Sequence, residues 1–175
     1  MDVLVFPKFF HPALDAGRLA ETALELGFDG IDIIIREGQS WCQDSDFLDS
    51  VPAFCEVVRG AGLKAYSAST DWTHEEVPRL DEAYRLFQDN GILMFRFWLQ
   101  RYQGPGSFRN DHARCLRTMD IIEKFGQRYR VKALLQTHGW NMTWSPEAAY
   151  DMVKGFDPAA IGVHYDPGNM IAQEG

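Results

Sequence analysis

The feature that most constrains this chain is an alternation. Short runs rich in β-branched residues trade places with longer amphipathic runs from one end to the other. "VLVF", Val3 to Phe6, is the first short run, and Pro7 closes it. "DAGRLAETALELGFDG" follows with Leu19, Ala23 and Leu26 at helical spacing, Asp15 placed as an N-cap and Gly27 as a stop. "IDIII", Ile31 to Ile35, is almost wholly apolar, as a strand covered on both faces must be.

The unit then repeats. "DFLDSVPAFCEVVRGAG" predicts a helix, with Pro52 arguing for a start near Ser50, and "LKAYSA" predicts a third strand. "EEVPRLDEAYRLFQDNG" predicts a helix from near Pro78, with "ILMFRFWL" as the fourth strand. "DHARCLRTMDIIEKFGQRY" and "VKALLQT" form the next pair. "SPEAAYDMVKGF" opens with Ser145 as N-cap and Pro146 at the first helical position, and "IGVHY" is the sixth strand. Strands separated by helices at this spacing imply βαβ units, a parallel sheet and one domain over residues 1–175.

About six βα units fit either an open doubly wound sheet or a barrel. No G-x-G-x-x-G follows the first strand, and "GPG" at Gly104–Gly106 lacks the Lys-Ser/Thr of a phosphate loop. Polar and aromatic residues gather instead after the strand ends: Lys8 and His11; Arg36 and Glu37; Ser69 and Asp71; Arg96, Trp98 and Arg101; Gln136 and His138; Asp166 and Asn169. In a barrel these ends share one mouth.

Composition narrows the partners. A net charge of −8 argues against nucleic acid or an anionic membrane surface, which both call for a basic face. No apolar stretch reaches ~18 residues, so no membrane span is expected. Cys42, Cys55 and Cys115 are odd in number and in no CxxC pairing, which predicts reduced thiols and a cytoplasmic setting.

Three segments, "ELGFDGIDIIIREG", "LLQTHG" and "VHYDPGNM", together resemble the sugar phosphate isomerase/epimerase superfamily, the xylose isomerase-like barrels. The resemblance implies a (β/α)8 TIM barrel holding one divalent ion (Mn2+, Mg2+, Co2+ or Zn2+) at its mouth. It implies Asp166 as a metal ligand, with Gln136 standing where the family commonly has a ligating Glu. A barrel of this type takes ~250 residues, so the chain is expected to end after strand six, with strands seven and eight and their two ligands missing. Impaired metal affinity, and little or no isomerase activity unless the remainder is supplied, follow as expectations.

The residues fill out that picture. Asp166 offers a hard oxygen to a cation, or opens a turn and bonds its own backbone. Gln136 has a neutral carbonyl that ligates weakly or bonds a hydroxyl, and cannot act as a general base. His138 can bind, position or shuttle a proton, so His138 and Gln136 are the catalytic candidates. His164 shares the side of Asp166 by alternation and ranks lower. Arg36, Glu37, Arg96, Trp98, His138 and Asn169 are the substrate-binding candidates, since arginine captures anions and indole walls a sugar. Phe6, Phe9, Trp140 and Trp144 are candidates for the pocket lining, and the acidic "HEEVPRLDE" fits a solvated helix start.

The expected activity is sugar, sugar-phosphate or sugar-acid isomerisation or epimerisation through an enediolate, on a small-molecule carbohydrate. An apurinic endonuclease shares the barrel, yet five histidines and an acidic chain suit its several metals poorly. A non-catalytic partial barrel that pairs with itself as a homodimer, through unpaired strand edges, is the third alternative.

Overall fold

The computed structural model describes residues 1–38, 40–73, 79–99, 101–139 and 141–174. The helix start near Pro78, all of "HEEV" before it, and Trp140 lie outside those residues. The chain divides into two compact units: Met1–Asp71 with Leu86–Leu93, and Trp72–Arg85 with Met94–Gly175.

In the first unit β1 (Leu4–Val5) pairs in parallel with β2 (Gly30–Ile31), and β3 (Ile33–Ile35) pairs in parallel with β4 (Ser67–Thr70). The "IDIII" run is therefore two strands rather than one. Asp32 is the break, and its Oδ1 accepts a 2.6 Å bond from the Ser67 hydroxyl. Ile31, Ile33, Ile34 and Ile35 are each no more than 2% exposed, as a doubly covered strand requires. Gly30 has no room for a side chain: a Cβ there would sit 2.3 Å from the Lys64 carbonyl oxygen.

Helix α1 (Ala16–Glu25) is capped as expected. The Asp15 side chain accepts from Arg18 N at 2.8 Å, and Gly27 turns the chain at φ +79°. Helix α2 (Phe47–Gly60) begins three residues earlier than Pro52 suggested. The added turn buries Phe47 beside Val51, and the Leu48 carbonyl, which loses a donor to the proline, belongs to an exposed residue.

In the second unit β5 (Met94–Phe97), β6 (Lys132–Gln136) and β7 (Ile161–His164) form a parallel set. The register aligns Arg96 with Leu134 and Gln136 with His164. Strand alternation then puts Phe95 and Phe97 on the face opposite Arg96. Phe95 meets Tyr84 of α3 (Leu80–Asp89) edge-on at 5.2 Å, and Tyr84 stacks on Phe125 and Tyr129 of α4 (Phe108–Tyr129). Burial drives the Tyr84 phenol pKa upward.

Helix α5 (Pro146–Val153) has Ser145 as its cap, accepting from Ala148 N at 3.2 Å. Pro167 to Glu174 form a sixth helix, α6, where the sequence suggested a turn. No described helix is long and apolar enough to cross a membrane. The three cysteines are buried and form no disulfide among the described residues.

Candidate functional site

The C-terminal ends of β5, β6 and β7 carry a connected set of polar side chains, all within the second unit. Asp166 stands just past β7 and caps α6, its Oδ1 accepting from Asn169 N at 3.0 Å. Its second oxygen, Oδ2, accepts from Gln136 Nε2 at 2.7 Å and from Asn169 Nδ2 at 2.9 Å. The carboxylate is thus both a local cap and a link to the tip of β6. Of the two uses weighed from sequence, a hard oxygen for a cation and a turn residue bonding its own backbone, the hydrogen bonds display the second, with the link to Gln136 added to it.

Gln136 continues the chain of bonds. Arg96 Nη1 donates to Gln136 Oε1 at 3.2 Å, and Arg96 is only 5% exposed. The order Arg96, Gln136, Asp166 leaves the amide one orientation. Turning it over would set its NH2 against a guanidinium and its oxygen against a carboxylate.

The aromatic wall adjoins this chain. The Arg96 guanidinium lies 5.3 Å from the centre of the Trp98 ring, and Trp98 meets His138 edge-on at 4.8 Å. His138 Nδ1 is 2.8 Å from the Gly139 carbonyl oxygen. A carbonyl only accepts, so in the neutral ring Nδ1 holds the proton and Nε2 is the basic nitrogen.

Two threonines that the sequence reading passed over hold these groups in place. Thr137, fully buried, accepts from Asp166 N at 2.8 Å through its hydroxyl. Thr143 donates to the Gln136 carbonyl at 2.7 Å, and its own carbonyl accepts from His138 N at 3.2 Å. "QTHG" shows a threonine between two site candidates, but no spacing rule ties it to a residue 29 positions away.

Arg96, Trp98, Gln136, His138, Asp166 and Asn169 are therefore brought together. Arg36 and Glu37 belong to the first unit and are engaged there. Arg36 Nε lies 2.9 Å from Asp71 Oδ2, an ion pair too poorly aligned to count as a hydrogen bond. Glu37 accepts from the Ser45 amide and hydroxyl, both at 3.1 Å, and so braces its own loop. Phe9 is 88% exposed and Trp144 41%.

The donor set does not suit a divalent ion as it stands. The oxygen that Gln136 would give a cation is turned to Arg96. Three N–H groups already bond the Asp166 oxygens. Among the described residues no three His, Cys, Asp or Glu side chains gather as a cation cage would need.

A family model described as a xylose isomerase-like TIM barrel matches residues 20–175. Among solved structures, a xylose isomerase-like TIM barrel protein from Mycobacterium smegmatis in complex with magnesium is 19% identical, with a TM-score of 0.68. The match covers 97% of this chain and 66% of that one. The 3-keto-D-glucoside 4-epimerase from E. coli is 15% identical, with a TM-score of 0.71 and coverage of 99% and 71%. An L-ribulose 3-epimerase is 16% identical, with a TM-score of 0.71 and coverage of 91% and 57%. The chain thus spans 57% to 71% of the length of these proteins. No curated protein matches it in sequence.

Proposed function

Because the chain belongs to the xylose isomerase-like TIM barrel family, we propose that its strand-tip site binds a ketose or a ketose derivative and moves a proton between neighbouring carbons, as an isomerase or epimerase does. The observation that carries this reading is the joining of Arg96, Gln136, Asp166 and Asn169 at three adjacent parallel strand ends, beside Trp98 and His138. Strand C-termini are where barrels of this class keep their chemistry. The names of the solved relatives support the same reading: two are sugar 3- and 4-epimerases.

Each group has a role its chemistry allows. Trp98 offers a flat apolar wall to a sugar ring. Arg96 supplies a fixed positive charge in a buried setting, where it favours oxygen that becomes negative as the enediolate forms. His138, through Nε2, takes the proton from one carbon and returns it to the next or to the other face. Asn169 and Gln136 hold Asp166, and the remaining amide and carboxylate capacity bonds sugar hydroxyls. One relative is solved with magnesium; a divalent ion bound at such a site would supply Lewis-acid polarisation of a carbonyl, and no step here is routed through one.

The test is proton exchange. The purified chain is incubated in D2O with a panel of free and phosphorylated ketopentoses and ketohexoses, followed by NMR. Deuterium entering at the carbon beside the carbonyl, and falling by about 100-fold or more with His138→Gln, is the expected result. Neither exchange nor binding with any member of the panel would refute the reading.

A further inference from the structure

The same bonds say something about how this site carries charge, whatever reaction it performs. Gln136 Oε1, a neutral oxygen at the tip of β6, accepts from Arg96 Nη1. Its NH2 faces Asp166 Oδ2. The polarity runs one way, from guanidinium to amide to carboxylate, so the amide passes the positive end of Arg96 on to Asp166. A cation seated on Gln136 Oε1 at ligand distance would lie within about 5 Å of the donating guanidinium nitrogen, with like charges facing each other in a buried place. Asp166 in turn is satisfied by three N–H groups and held by its own backbone bond to Thr137.

We infer that Arg96, relayed through Gln136, supplies the positive charge of this strand-tip site, and that the site works without a divalent cation. The ligand class that follows is a sugar bound by hydrogen bonds and a guanidinium, one that retains its affinity when divalent metals are stripped.

Titration of the chelator-treated chain with MnCl2, read by the loss of the free-ion EPR signal, tests it without any activity assay. The wild-type chain is expected to show no saturable Mn2+ binding below millimolar concentration that depends on Asp166. Gln136→Glu replaces the relay with a second carboxylate and is expected to tighten Mn2+ binding by about 10-fold or more. Should that variant be unfolded by circular dichroism, Arg96→Met, which frees the amide oxygen, is expected to gain binding in the same direction. Micromolar, stoichiometric Mn2+ binding by the wild-type chain that Asp166→Asn removes would overturn the inference. Binding that survives Asp166→Asn lies elsewhere and leaves it standing. Proton exchange with ketoses is a separate readout, so failure of the proposed activity and failure of this inference are distinguishable.

Discussion

Asp166 shows how one side chain carries two jobs. Its Oδ1 caps a helix and its Oδ2 closes a bond to a strand 30 residues earlier. Asp166→Ala removes both and leaves the Gln136 and Asn169 amide groups without their acceptor. A loss of about 2 kcal/mol in urea unfolding is expected, roughly half from the cap. A loss no larger than a cap alone accounts for would show that the Gln136 bond contributes nothing. The sequence made Asp166 conspicuous through "DPGN", since an acid before Pro-Gly marks a chain reversal. It could not show that Pro167 begins a helix, because Pro-Gly opens turns and helices alike. The buried Cys42 gives a second residue-level test. Burial pushes its thiol up to about 12 from 9.0. Between those values the unfolded chain releases a proton that the folded chain keeps, so stability falls as pH rises through that window. Cys42→Ala is expected to flatten the decline between about pH 9 and about pH 11, measured by urea unfolding. An unchanged slope would contradict it.

At the scale of elements, most of the alternation was legible because apolar period reports it directly. The departures are local and each has a physical source. The isoleucine run changes partner at Asp32: Ile31 pairs with Val5 of β1 and Ile33 with Ala68 of β4. Helix α2 outruns the limit suggested by Pro52 because Phe47 gains a buried place beside Val51. The close approach of α4 to the start of β7 had no sequence signal. A Cβ at Gly126 would lie 2.8 Å from the Ala160 Cβ and 3.1 Å from its carbonyl oxygen. Gly126→Ala raises helix propensity by about 1 kcal/mol yet is expected to destabilise the protein, by about 1–3 kcal/mol from overpacking. A rise in the unfolding midpoint would mean that this contact is looser than described.

For the molecule as a whole, the sequence pointed to the right family because three weak motifs recur in order along one parallel topology, and the family match and the solved relatives agree on the fold. The candidate site was legible only as residue types at strand ends. Which of them meet depends on register: Arg96 reaches Gln136 because β5 and β6 pair Phe97 with Leu135. Arg36 and Glu37, read as equals of Arg96, are taken up by Asp71 and Ser45 in the first unit. The wiring of the amide has no counterpart in sequence, since glutamine reads the same in either orientation. The reading therefore stands or falls on whether a sugar meets these particular groups. Side-chain amide NMR of the 15N-labelled chain, titrated with a ketopentose, decides it most directly. Shifts in the Gln136 and Asn169 amides and the His138 ring, unchanged when EDTA is added, are the expected result. A ketopentose that binds while those three signals stay still, or that moves them only when a divalent metal is restored, would contradict it.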